Sequence, residues 1–111
     1  MQTRAFSSIA LKNERIDLRP AHLKIVRAIL RAHVPECRAW VFGSRATGTA
    51  KQMSDLDLAV EKPKPLSLVQ LGALAEAFEE SELPMKVDVV DLAQASPSFR
   101  RIVEEHNRRV Q

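Results

Sequence analysis

The 111-residue chain has one cysteine, no tyrosine, three glycines and only five aromatic side chains, four Phe and one Trp. Each scarcity excludes something. A single thiol, Cys37, makes no internal disulfide, and no Cys/His cluster with zinc spacing accompanies it. Cys37 also has no activating partner close by in sequence, so it reads as structural and the setting as the reducing cytoplasm. The aromatic residues are too few, and too little interleaved with basic ones, for a base-stacking surface, so no direct nucleic-acid binding is expected. There is no long apolar run, and hence no expected transmembrane helix. The stretch Met1–Leu11 lacks the apolar core and cleavage site of a signal peptide.

What is present fits one globular domain with its own core. Hydrophobic residues make up 45% and charged residues 28%, an ordinary balance. The net charge is +3 with a pI near 9.4, which favours an anionic ligand or partner without naming one. Residues 1–17 show no strong periodicity and read as an N-terminal arm, leaving residues 18–111 as the domain. Pro20 suits a first helical position. Leu23, Val26, Ile29, Leu30 and His33 then recur at helical spacing, predicting an amphipathic helix over about 21–33 that Pro35 ends. Ala39–Phe42 reads as a buried strand, Ser44–Thr47 as one helical turn closed by Gly48, and Leu56–Val60 as a second strand.

Two prolines, Pro63 and Pro65, make the next segment a linker. Ser67 is a candidate N-cap for a helix reaching about Glu80, with Leu68, Leu71, Ala75 and Phe78 as its expected buried face. Lys86–Asp91 reads as a third strand covered on both sides, with Asp91 as a turn or cap residue. Ser96 and Pro97 open a last helix whose apolar stripe is Phe99, Ile102, Val103 and His106. Arg108 and Arg109 are expected to face solvent or the end of that helix. The expected fold class is therefore α/β (α+β), a small mixed sheet covered by helices.

The chemistry concentrates between Val41 and Val60. Asp55 and Asp57 are two residues apart at a strand start, so both side chains point the same way. Like charges this close repel unless a cation lies between them. Magnesium, which takes one or two carboxylates plus substrate phosphates, fits that need. Gly43 and Ser44 end a strand and open a helical turn, an arrangement whose backbone N–H groups can meet an anion. Arg45 adds a positive charge nearby. Gly43 and Gly48 have P-loop spacing, but Thr49 stands where that motif requires Lys. Asp88 interrupts an otherwise apolar strand, and a carboxylate there is costly unless paired or metal-bound. If its strand lies beside that of Asp57, three acids meet near a phosphate-binding turn, a site suited to nucleotidyl transfer.

Gly43-Ser44, ten residues, Asp55-Leu56-Asp57, then Asp88 within Lys86–Leu92 resembles the minimal nucleotidyltransferases of the DNA polymerase β superfamily. The likeness runs from about Ile16 through Phe99-Arg100-Arg101-Ile102. It implies a polymerase β-like fold, with Asp55, Asp57 and Asp88 holding Mg²⁺ and acting as the catalytic carboxylates. It also implies that Gly43, Ser44 and Arg45 bind the nucleoside triphosphate, ATP. Thr47 stands where relatives often carry a second Arg. Such proteins are commonly encoded beside a helical HEPN-type ribonuclease. The resemblance therefore implies an antitoxin, hetero-oligomeric with that toxin, that transfers AMP from ATP to a tyrosine hydroxyl of its partner. Two other readings fit the same residues: an antitoxin that neutralises by binding alone, and a small-molecule nucleotidyltransferase working with a helical subunit.

Overall fold

The structure is a computed structural model that describes residues 16–111; the arm expected over residues 1–17 lies outside the described residues except for its last two. Ile16 and Leu18 pack on the core, and the Asp17 N–H donates to the Arg45 carbonyl at 2.8 Å, so residues 16 and 17 belong to the folded body.

Helix α1 (Pro20–His33) begins with its proline in the first turn and buries Val26 and Leu30 completely. His33 departs from the expected apolar stripe and is exposed, because the buried row ends one turn earlier, at Leu30. Strand β1 (Arg38–Phe42) leads into the four-residue helical turn α2 (Ser44–Thr47), closed by Gly48 at φ 80°. Strand β2 (Leu56–Glu61) follows, then α3 (Leu68–Glu79), whose Ser67 cap accepts a hydrogen bond from the Gln70 N–H. Strand β3 (Val87–Asp91) passes through a short 3₁₀ turn (Leu92–Gln94) into α4 (Pro97–Glu105), capped by Ser96.

Two expectations about helix faces are corrected. On α3 the buried residues are Leu74 and Phe78, while Leu68 is 87% exposed. The helix is apolar nearly all round, so periodicity could not select the inward side. On α4, Val103 is buried but Ile102 and His106 are exposed.

A further strand, β4 (Asn107–Arg109), was not expected. Three polar or basic residues carry no strand pattern of their own; pairing with β1 imposes the conformation. Arg109 faces the Trp40 ring at 5.6 Å, with Arg38 over the same ring at 5.8 Å. The four strands lie in the order β3-β2-β1-β4, with β2 and β3 parallel and the other pairs antiparallel.

Strand alternation then divides the core. Ala39, Val41, Leu56, Leu58 and Val60 pack under α1 and α3. Phe42, Ala59, Val90 and Leu92 pack under α4, where Phe42 meets Phe99 edge-on at 5.7 Å. Asp91 fastens the crossover between the two layers. It is buried, and its carboxylate accepts from the Leu66 N–H (2.8 Å), the Ala93 N–H and the Gln94 amide (both 3.0 Å). Its expected role as a turn and cap residue is borne out. Asp91→Ala strands these donors and is expected to cost about 3 kcal/mol, read as a drop in urea midpoint at unchanged m-value. Asp91→Asn, which keeps one acceptor, should lose less.

Candidate active site

Register builds the site. In the parallel ladder Asp57 is paired with Asp88, and across β1 and β4 Asp57 is opposite Phe42, which is opposite Asn107. These four residues make one row across the sheet on the face that carries α4. Asp55 stands just before β2 and is exposed, whereas Asp57 is half-buried. Burial pushes the Asp57 carboxyl above its ordinary range, and the charges of Asp88 and then Asp55 push it further. The site thus concentrates negative charge, and its donors are hard carboxylate oxygens suited to Mg²⁺.

Asp88 is less buried than its apolar strand suggested: its side chain is 43% exposed and lies 3.5 Å from the Lys86 ammonium. Lys86 is a site residue the sequence reading missed, although its place two residues before Asp88 puts it on the same face. Among the described residues no three His, Cys, Asp or Glu side chains are grouped so as to hold a metal ion by themselves; the arrangement is open. An open arrangement suits a metal that keeps positions for phosphate oxygens and water.

Gly43 sits over this pair. Its φ of 74° and ψ of −154° are reserved almost wholly for glycine. A Cβ at this position would collide with Asp57 Oδ2 and lie 3.4 Å from Cγ. The glycine is therefore required twice, for the turn and for the carboxylate's approach. No side chain caps the α2 turn that Ser44 begins, so its leading N–H groups are left to an outside acceptor. Gly43→Ala should displace the Asp57 carboxylate and cut nucleotidyl transfer roughly 100-fold, with a stability loss of about 1–3 kcal/mol. Single-turnover rates beside a urea titration check both; unchanged turnover would remove Gly43 from the site.

Arg45 departs from the expectation of direct nucleotide contact. It is only 5% exposed, and its guanidinium faces backbone carbonyls. Nε donates to Ser54 O (3.2 Å), Nη1 to Asp17 O (2.9 Å), and Nη2 to Ser54 O (2.9 Å), Gln52 O (3.1 Å) and Lys51 O (3.4 Å). Arg45 thus braces the linker that ends at Asp55. Thr47 is likewise engaged locally, its hydroxyl 2.9 Å from that of Thr49. Asn107, at the end of the row, was also missed. Its amide donates to the Val103 and Glu104 carbonyls at 3.0 and 3.2 Å and pins the end of α4 beside the site. A lone Asn after a helix is the one sequence signal it offered. Cys37 stays out of the chemistry: it is buried, and burial followed by the charge of Glu36 pushes its thiol up, away from the reactive thiolate.

A phosphate-ready turn set over paired carboxylates on a small mixed sheet defines a nucleotidyl-transfer protein. The polymerase beta nucleotidyltransferase family matches residues 24–110, and the chain belongs to that family. It is 44% identical over 90 residues to the probable protein adenylyltransferase MntA of Haemophilus influenzae, covering 81% of this chain and 79% of that one. Among solved structures, one chain of a toxin–antitoxin complex with AMP-PNP superposes with a TM-score of 0.70 at 29% identity, over 80% of this chain and 72% of that one. A chain from the complex of a tri-AMPylated Shewanella oneidensis HEPN toxin with its MNT antitoxin superposes with a TM-score of 0.62 over 80% of this chain and 71% of that one. At 24% identity that second likeness bears on the fold alone. No helix among the described residues is long and apolar enough to cross a membrane.

Proposed function

We propose that this chain is the adenylyltransferase antitoxin of a cytoplasmic toxin–antitoxin pair, transferring AMP from ATP to a tyrosine hydroxyl of a helical HEPN-type toxin. The observation that carries the reading is the Asp57–Asp88 register pair beneath Gly43, in a chain 44% identical to a probable protein adenylyltransferase. The toxin–antitoxin complex with AMP-PNP, at 29% identity, supports the nucleotide and a toxin as partner.

In this reading Asp55, Asp57 and Asp88 hold Mg²⁺, and the leading N–H groups of the Gly43-Ser44 turn, with the Ser44 hydroxyl, hold phosphate oxygens. Mg²⁺ held by these residues would supply charge neutralisation for the triphosphate and for the departing pyrophosphate. The tyrosine oxygen attacks the α-phosphorus, the bond from that phosphorus to the bridging oxygen of the β-phosphate breaks, and pyrophosphate leaves. Asp88, whose side chain is 43% exposed, takes the hydroxyl proton. Arg45 acts through the linker, holding Asp55 in place.

The test is intact mass spectrometry of the chain purified with the product of the adjacent gene, after incubation with Mg²⁺ and ATP. The partner should gain AMP, and Asp57→Asn should abolish the gain. A tight complex without any gain in mass would instead favour neutralisation by binding.

A further inference from the structure

A triphosphate entering this site meets three carboxylates, and sites of this kind clamp the phosphates with Arg or Lys as well as metal. The nearest arginine in sequence is already spent: the Arg45 guanidinium donates to the carbonyls of Asp17, Lys51, Gln52 and Ser54. Thr47 brings a hydroxyl and no charge, and that hydroxyl is engaged with Thr49. Among the ion pairs of the described residues, the one that reaches a site carboxylate is Lys86 with Asp88, at 3.5 Å. The fold fixes where Lys86 stands. The Leu56 N–H donates to the Lys86 carbonyl at 2.8 Å, and Leu56 is paired with Val87, so Lys86 is level with Asp55 just ahead of the strands. Strand alternation then puts Asp55, Asp57, Lys86 and Asp88 on one face of the sheet. The ammonium lies at the open end of this acidic group, on a side chain that is 72% exposed.

We propose that Lys86 is a triphosphate ligand that exchanges partners: it neutralises Asp88 in the free chain, and it leaves that carboxylate for phosphate oxygens when a metal-bound nucleotide enters. The inference rests on the adenylyltransferase reading above and adds which side chain meets the phosphates. An exposed ion pair of this kind is weak, so Asp88 holds the ammonium loosely. A divalent cation at Asp57 and Asp88 competes with the ammonium for the same oxygens and repels it. Phosphate oxygens then offer the displaced ammonium a charge-assisted partner. Its compact charge on a flexible four-carbon stem can follow either one. The exchange also clears Asp88, whose oxygens are then open to the metal and to the incoming hydroxyl.

Lys86→Gln tests this without threatening the fold, because the side chain is exposed and the Lys86 carbonyl that Leu56 meets is kept. The full-length chain, purified with the product of the adjacent gene, is titrated by calorimetry with α,β-methylene-ATP at saturating Mg²⁺. This analogue binds but cannot transfer AMP. Free Mn²⁺ counted by electron paramagnetic resonance gives the metal affinity without nucleotide. Lys86→Gln should lose about tenfold in analogue affinity, as one charge-assisted hydrogen bond is removed. It should gain about threefold in Mn²⁺ affinity, because a competing cation is gone. Lys86→Arg, which keeps the charge, should stay within about twofold of wild type in both, as should Lys64→Gln in the linker beyond the far end of β2. Unchanged analogue affinity in Lys86→Gln overturns the assignment and leaves the adenylyltransferase reading intact. Analogue affinity lost without any gain for Mn²⁺ overturns the exchange of partners. A wild type that binds no analogue overturns the assignment and the adenylyltransferase reading together.

Discussion

Asp57→Asn is expected to abolish nucleotidyl transfer while raising the melting temperature at neutral pH. The activity loss follows from removing the carboxylate that pairs with Asp88 beneath Gly43. A bound metal supplies several kcal/mol of charge stabilisation, so its loss should cost roughly three orders of magnitude in rate. The stability gain follows from the electrostatics of the carboxylates themselves. Burial and two neighbouring carboxylates raise the Asp57 pKa above its ordinary value of 3.8. The folded state therefore binds the proton more tightly than the unfolded state does. Below 3.8 both states are protonated and the site costs nothing. As pH rises through 3.8 towards the raised folded value, the unfolded chain ionises first and stability falls; above that value the whole cost is in place. Asn removes the cost, so its advantage should be present at pH 7 and vanish in acid. Mg²⁺ should reverse the order by stabilising the wild type and not the variant. Thermal melts at pH 7 and pH 3.5, with and without Mg²⁺, check this. A variant that melts below the metal-free wild type at pH 7 would refute the account of Asp57.

How far the sequence discloses such a site depends on where each residue's role is encoded. The meeting of Asp57 with Asp88 was legible because both sit on strands with period-two geometry, and one neighbour relation, β2 beside β3, brings them together. Gly43 was legible as a turn, but its close approach to Asp57 depends on how β1 and β2 pair across the sheet. Local pattern is silent where tertiary structure decides. On α3, apolar residues on every side left the inward face undetermined until α1 and β3 were in place. Strand β4 consists of Asn107, Arg108 and Arg109, which favour no strand until β1 offers its edge. Arg45 shows the limit most clearly. Its neighbours in sequence suggest a phosphate ligand, yet its hydrogen-bond acceptors are carbonyls up to 28 residues away, whose convergence no local pattern announces.

Arg45 also yields the second large expected effect. Arg45→Ala removes the donors that hold the carbonyls of Asp17, Lys51, Gln52 and Ser54. A buried acceptor left without a donor costs about 1–3 kcal/mol. Water can reach the exposed part of the linker, so the net loss should be about 3 kcal/mol, a fall in melting temperature of roughly 10–20 °C for a domain of this size. Arg45→Lys keeps the charge but not the planar fork, and one ammonium cannot satisfy carbonyls on opposite sides, so it should recover less than half of the loss. Below the variant's transition the linker remains attached to Asp55 but no longer fixes it. Transfer should then fall roughly 100-fold, as misplacing a catalytic group by about an ångström does. If the carboxylates hold Mg²⁺ as proposed, higher Mg²⁺ should restore part of it, because a metal would gather them. A residue that only gripped the triphosphate would behave differently. Its Ala variant would melt like the wild type, lose ATP affinity, and gain nothing from added metal. Melting temperature, ATP affinity and the Mg²⁺ dependence of the rate, measured together on Arg45→Ala and Arg45→Lys, separate the brace from the ligand.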